Sequence, residues 1–411
     1  MSHRVVVTGI GILSPLGNTA KDFFDSALRG ANRIGPVRKF DAISFPVRIG
    51  GEIQFDEAQL GIHRLRLQET PRPAVWAVLA ARQAVADAGL DLSREDPYGI
   101  NVVLGVASPG LEVFQDQAMV IREKGPAAAS PLTPVLANPA AAALQISQDL
   151  ELRGEVTNIT TSCSSSASAI GYALRLIKHG EAECVLAGGV DEAVTPTYLA
   201  SFGNANMLSR RNGDPAHASR PFDRQRDGYV LSDAACVLIL EEYERARRRG
   251  ATAYCELRGF GATHDAASPR RVGKSEEAGA YAVQRALKAA ERSPEEVDYY
   301  CAHGTSSKWT DVRETRMVKR VFRERAPRLA ISSVKSMMGH PLGAAGAVQT
   351  ATAALSIRHQ AVPPTINLEE PDPECDLDYV PREARQQRVR SAVVYSLGQG
   401  GSNTALVLAA C

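Results

Sequence analysis

Residues 156–179 read VTNITTSCSSSASAIGYALRLIKH: an apolar strand, a tight turn at Cys163 and a helix built of small residues. Residues 329–359, LAISSVKSMMGHPLGAAGAVQTATAALSIRH, run the same way, from strand through a turn at His340 into a Gly/Ala-rich helix. A second phrase repeats upstream of each. A helix over Ala74 to Gly89, with Val75, Val78, Leu79 and Val85 on one side, is followed by an acidic turn and the strand Asn101 to Val106. Its later copy is a helix over Glu276 to Arg292, the turn Ser293 to Glu296, and the strand Val297 to Ala302. Two matches in the same order predict a duplicated α/β unit.

Working outward, each half alternates strands with amphipathic helices. The run Cys236 to Leu240 is apolar throughout, which predicts a strand buried on both faces, as in mainly parallel sheets. Two sheets with helices between and outside them are expected, and the small residues Ser164 to Ala169 and Gly343 to Ala347 should let two helices approach closely at the centre. At 411 residues the chain exceeds the size at which one core stops growing. A seam is expected near Arg248-Arg-Gly250, giving halves 1–250 and 251–411. No low-complexity linker separates them, so one rigid body should result.

The 47 basic and 46 acidic residues nearly cancel, so global charge points to neither nucleic acid nor membrane as a partner. Seven cysteines form no CxxC pair and no His/Cys cluster at metal spacing, a pattern suited to a reducing cytoplasm. The first apolar run is too short for a membrane span and reads as a buried strand.

Cys163 lies between a strand and a helix start, where free N–H groups and the helix dipole are expected to favour a thiolate. Cys184, Cys236, Cys255 and Cys301 sit in apolar strand-like runs and read as small core residues. His303 follows a strand directly, where parallel α/β proteins place reactive groups. If a pseudo-twofold axis relates the halves, the His340 turn faces the same cleft as the Cys163 turn.

These residues carry a resemblance. The opening Val5-Val-Val-Thr-Gly-Ile-Gly11, the Cys163 segment, Ser219-Arg-Pro-Phe-Asp223 with Arg226-Asp-Gly228, Ala302-His-Gly-Thr305, Val334-Lys335 with Gly339-His340, and Gly400-Gly-Ser-Asn403 match in order. Over essentially its whole length the chain resembles a β-ketoacyl-acyl carrier protein synthase of the second type, a condensing enzyme of the thiolase fold. The resemblance implies a five-layer αβαβα sandwich. It implies that Cys163 takes an acyl chain as a thioester, and that His303 and His340 stabilise the enolate formed when malonyl-acyl carrier protein loses carbon dioxide. Backbone N–H groups of Cys163 and Gln399 would form the oxyanion hole. Lys335 would pair with Glu314 and support the histidines. Thr305 and Ser307, serine standing for the usual threonine, would hold the pantetheine amides.

Two departures stand out. The family's C-terminal loop usually carries a phenylalanine gate where this chain has Gln399. An amide there removes apolar surface worth ~2 kcal/mol when buried and adds groups that need partners. Gln399 either adapts the pocket to an unusual acyl chain, unsaturated or polar, or sits in a rearranged loop; the first reading is preferred. Around Asp233 the usual glycine-rich stretch is Ser232-Asp-Ala-Ala-Cys236, read as packing variation with the acid retained. Both departures point towards a specialised type II polyketide or polyene pathway, with ordinary fatty-acid elongation as the alternative.

Rival members of the fold fit less well. A degradative thiolase carries a second cysteine in the C-terminal glycine loop, and Leu397 to Ser402 has none. Type III synthases have asparagine at the second histidine's place. A non-catalytic chain-length factor generally lacks the nucleophile. The resemblance implies no cofactor of the enzyme's own, since phosphopantetheine arrives on the carrier protein. It implies a homodimer, or a heterodimer with a chain-length-factor-like subunit. An acidic acyl carrier protein should dock on a basic patch, with Arg64, Arg66, Arg122, Lys124, Arg210 and Arg211 as candidates.

Overall fold

The structure is a computed structural model that describes residues 3–54, 70–108, 110–267 and 275–411. Its main sheet takes in β1 (Val5–Leu13), β2 (Ile100–Gly105), β3 (Val156–Ile159), β4 (Cys184–Asp191) and β5 (Ala234–Glu242). It continues with β6 (Cys255–His264), β7 (Tyr299–Cys301), β8 (Ala330–Ser332), β9 (Ser391–Gly398) and β10 (Ser402–Ala409). The helices that matter for the site are α1 (Arg72–Asp87), α2 (Leu111–Lys124), α3 (Ser165–Lys178) and α4 (Pro196–Asn204). Beyond residue 250 come α5 (Glu277–Ala289), α6 (Thr310–Phe322) and α7 (Ala345–His359).

The strand order is β8-β7-β9-β10-β6-β1-β5-β4-β2-β3. Read outward from the middle, one side runs β1-β5-β4-β2-β3 and the other β6-β10-β9-β7-β8, each strand matching the one five places later. The duplication in the sequence thus reappears as hydrogen-bond order. It also extends to packing. In β1, a side chain at Gly9 or Gly11 would collide with the Ala84 or Ala80 carbonyl of α1; in β6, Gly259 and Gly261 stand against Ala286 and Ala282 of α5 in the same way. Each outer helix lies on its strand at a distance only glycine permits.

Two expectations are corrected. The halves are not separate sheets: Val6 and Val7 of β1 pair with Glu256 and Cys255 of β6, so the edges meet and the ladder is continuous. Nor is the sheet mainly parallel. The β2–β3, β2–β4, β7–β8 and β7–β9 pairs are parallel, but β5 runs antiparallel to both β1 and β4. Burial on both faces of β5 comes instead from helices packed on each side, α1 on one and α7 on the other. Full coverage by helices, not strand direction, removes the alternation of polar residues.

The sheet halves enclose α3 and α7, giving helix, sheet, helix, sheet and helix layers. Residues 345–357 of α7 are all buried, as befits a helix apolar on every side. The expected close approach is present: a Cβ on Gly346 would stand 2.5 Å from the Ala167 nitrogen, and the Ala347 N–H donates to Ser166 Oγ at 2.9 Å. Gln349, the amide within α7, donates to the carbonyls of Ala302 (2.7 Å) and Tyr395 (2.8 Å) and accepts from Ser396 (3.0 Å). It therefore ties α7 to the end of β7, one residue before His303. Among the described residues no helix is long and apolar enough to cross a membrane.

Candidate active site

Strand β3 ends at Ile159 and α3 begins at Ser165, leaving five residues to reverse the chain. Ser162 takes the left-handed conformation (φ 56°), a strained choice for a residue with a side chain. The serine run holds it. Ser164 Oγ donates to the Thr161 carbonyl (2.8 Å), Ser165 Oγ donates to the Ser162 carbonyl (2.6 Å), and the Thr161 N–H donates to Ser165 Oγ (2.9 Å). Cys163 stands at the apex, half-buried, with protein around it on most sides and one face open to solvent.

The end of β9 passes directly over this turn. A side chain on Gly398 would meet the Thr161 carbonyl, and the absence of one brings the Gln399 backbone against Cys163. Backbone N–H groups of Gln399 and of Cys163 itself both bear on the sulfur. The expected thiolate is not what the site favours. Burial pushes the thiol up to about 11, and the nearby Asp191 adds to it; the two N–H groups and Lys335 pull the other way without prevailing. Loss of hydration outweighs the helix dipole here.

His303 is clasped through its backbone. Glu314 on α6 accepts from the N–H groups of His303 (2.7 Å) and Gly304 (2.8 Å) and from the Tyr300 hydroxyl (3.1 Å). Lys335 Nζ donates to the His303 carbonyl at 2.7 Å. This corrects the expected Lys335–Glu314 ion pair: the two charges feel one another, but each is spent on the His303 backbone that lies between them. Burial lowers the Lys335 ammonium and raises the Glu314 carboxyl from their ordinary values.

The His303 ring accepts at Nδ1 from the Leu397 N–H (3.3 Å). Burial, with the Lys335 charge beside it, drives both His303 and His340 well below the ordinary histidine value, so both rings are neutral near pH 7. A neutral ring that accepts at Nδ1 carries its proton on Nε2, where it can donate to an incoming oxygen. The two rings lie edge to face with centroids 5.4 Å apart.

His340 is placed by its own turn. Its N–H donates to the Val230 carbonyl (2.7 Å), its carbonyl accepts from Ser232 (3.1 Å), and Gly339 before it has φ 87°. The ring meets Tyr229 edge-on at 5.6 Å, and Tyr229 also feels Cys163, so thiol and imidazole share one neighbour.

Other expected residues fall out variously. Gln399 is exposed in the β9–β10 turn, so its amide is solvated and the burial penalty anticipated for it does not arise. The Thr305 hydroxyl lies 3.1 Å from that of Thr310, while Ser307 is half-buried with its carbonyl accepting from Arg226 (3.1 Å). Arg122 and Lys124 are exposed at the end of α2. Arg210 bonds Asn206, and Arg211 lies 3.8 Å from Asp227 and donates to the Gln225 carbonyl, which diminishes it as a free cation. Arg64 and Arg66 lie outside the described residues. Asp233 pairs with Lys39 at 2.9 Å.

Two carboxylates escaped notice in the sequence. Asp191, at the end of β4, accepts from the N–H groups of Ala107 (2.9 Å), Ser108 (3.0 Å) and Gly343 (2.6 Å) and from the Ser108 hydroxyl (2.6 Å). It pins the loop after β2 to the loop after His340. Asp311, one turn before Glu314, accepts from Phe222 (2.9 Å) and Thr305 (3.2 Å), linking the Ser219–Asp223 segment to the His303 loop. An acid closing a buried strand was the available signal for the first; nothing local marked the second.

The Beta-ketoacyl synthase N-terminal domain model matches residues 2–246, and its C-terminal domain model matches residues 254–369. The chain belongs to the β-ketoacyl synthase family. As such it is a carbon–carbon bond-forming acyltransferase. A 3-oxoacyl-[acyl-carrier-protein] synthase 2 of Synechocystis is 41% identical, with 98% of this chain and 97% of the relative covered. The granaticin polyketide putative beta-ketoacyl synthase 1 of Streptomyces violaceoruber is 39% identical over 99% and 98%. Among solved structures, a type II polyketide ketosynthase in complex with its acyl-carrier protein, bound to the hexaketide, superposes with TM-score 0.92 at 30% identity, covering all of both chains. The ishigamide ketosynthase/chain length factor gives 0.92 at 31%, again with full coverage. Like these ketosynthases, the β-ketoacyl synthase described here has the thiolase fold.

Proposed function

We propose that this β-ketoacyl synthase performs a decarboxylative Claisen condensation on carrier-bound substrates. Cys163 loses its proton and attacks an acyl thioester; the phosphopantetheine thiol leaves with a proton, and the acyl chain stays on sulfur. In malonyl-acyl carrier protein the bond to the carboxylate breaks, carbon dioxide departs, and the electron pair moves into an enolate. The enolate carbon attacks the acyl-cysteine carbonyl, Cys163 leaves as thiolate, and a β-ketoacyl thioester is formed. The observation that carries this reading is the pair of neutral, buried imidazoles, one with its proton held on Nε2. Neutral donors stabilise an enolate oxygen without protonating the carbon that must react. The N–H groups of Cys163 and Gln399 on the sulfur would serve the oxyanion in both acyl-transfer steps.

The setting of Lys335 and Glu314 supports a positioning role for both, since each holds the His303 backbone. Thr305 and Ser307 remain the proposed holders of pantetheine, and Arg122, Lys124, Arg210 and Arg211 the proposed carrier-docking residues. Residues 1–250 would form the half with the nucleophile and 251–411 the half with the histidines. No prosthetic group of its own is required by this scheme, and the cysteine pattern supports a reducing cytoplasm. Likeness to enzymes of both fatty-acid and polyketide synthesis supports a type II system with separate carrier proteins. The unpaired edge of β3 and, separately, the exposed Phe114, Met119, Ile121, Leu132 and Val135 favour a dimer, with a second copy or a chain-length-factor-like subunit.

Mass spectrometry of the intact protein incubated with a panel of acyl carrier proteins tests the reading. Acyl mass on Cys163, followed by β-ketoacyl product when malonyl-acyl carrier protein is added, is expected. Cys163→Gln should abolish condensation while malonyl decarboxylation continues; retained product would rule out Cys163 as the nucleophile. Acylation without condensation would point to a missing partner subunit.

A further inference from the structure

A cavity of about 200 Å³ opens between α1, α2 and the start of α4. It lies close to Cys163: Tyr198, which feels the thiol and packs with it and Ala107 against one core cluster, lines the cavity together with Ser108. Val106, Leu136 and Val190 give it apolar walls, as an acyl chain requires. Charged groups line it as well. Arg72, Glu112, Asp116 and Glu192 all face it.

Two of these charges are satisfied. Glu192 takes Lys39 at 2.8 Å and Arg72 at 3.3 Å, and Lys39 continues to Asp233 at 2.9 Å. Glu112 is not. Half-buried in the first turn of α2, it has no hydrogen bond or ion pair among the described residues, although it stands close enough to feel Glu192, Lys39 and Arg72. Burial and the Glu192 charge push its carboxyl up to about 7. A carboxyl in a partly apolar cavity, raised by burial and without a bonded partner, is a group that gains from a donor brought in by a ligand. A plain alkyl end would leave it unpaired and remove its remaining water.

We propose that this cavity receives the far end of the acyl chain, and that Glu112 selects chains ending in a hydrogen-bond donor, a hydroxyl or an amine, over plain alkyl chains. This rests on the acylation of Cys163 proposed above and adds the substrate class. Carboxylates outnumber cations around the cavity, which disfavours a terminal carboxylate.

The test follows acyl transfer to Cys163 by intact-protein mass spectrometry, using pantetheine thioesters of equal length with alkyl, ω-hydroxy and ω-amino ends. Small thioesters avoid any demand on carrier docking. The polar-ended donors should acylate about tenfold faster than the alkyl donor. Glu112→Leu should invert that ratio, whereas simple damage to the fold would lower all three rates together. Glu112→Gln should keep the hydroxyl preference and lose the amine preference, which separates the two ligand chemistries. Equal rates, a faster alkyl donor, or a ratio unchanged in Glu112→Leu would overturn the assignment while leaving Cys163 as nucleophile. No transfer from any thioester or carrier protein would overturn the underlying reaction as well.

Discussion

Cys163 shows how far a residue's chemistry departs from its local setting. At a helix start the dipole favours the thiolate, yet the thiol is raised to about 11 by burial. Below that value the reactive fraction grows tenfold per pH unit. Transfer from a small thioester should therefore climb steadily, by about tenfold per unit between roughly pH 7 and 9, with no plateau at neutrality. Stopped-flow or quenched mass spectrometry across this range checks it; a plateau near pH 7 would mean a thiol already ionised. The histidines impose no acid limit near neutrality, because both are held neutral well below the ordinary range. The residue types at 163, 303 and 340 were legible as a set. Their protonation states were not, since these depend on how much water the rest of the molecule excludes. The same holds for Gln399: its identity is plain in the sequence, and its exposure is decided by the β9–β10 turn.

At the scale of elements, the two turns that carry Cys163 and His340 lead into α3 and α7, so the spacing of these helices sets the spacing of the chemistry. Gly346 of α7 stands directly against Ala167 of α3. Gly346→Val would push the helices apart or distort them, with an expected cost of about 3 kcal/mol and a larger fractional loss of condensation than of folded protein. Urea denaturation measured beside turnover separates the two effects. Small residues on both helices were readable, because close approach leaves a compositional mark. The antiparallel course of β5 left none: a strand covered by helices on both faces looks alike in either direction. The Lys335–Glu314 pair came from the resemblance alone, and nothing local showed that the His303 backbone lies between the two.

Across the whole molecule, one buried network holds the C-terminal turn to the site. Arg313 on α6 makes a two-point ion pair with Asp265 (2.7 Å each), Asn403 donates to Asp265 (2.8 Å), and Tyr395 donates to Asn403 (2.6 Å). These bonds fasten the Gly398–Asn403 turn, and so the Gln399 N–H, to the helix that also carries Glu314. Arg313→Ala leaves Asp265 buried without this partner, and a loss of about 3–5 kcal/mol is expected, visible as a lowered urea midpoint; a change under about 1 kcal/mol would show the network to be dispensable. The sequence by itself determined the duplicated halves, the apolar strands, the small-residue helices and the reactive residue types, because periodicity and composition act over short spans. Only the tertiary structure decided that the sheet edges join, that Asp191 pins the loop after β2 to the loop after His340, that the thiol rests protonated, and that Glu112 faces a cavity unpaired. Each of these depends on groups far apart in the chain meeting where water has been excluded, and local sequence carries no measure of that.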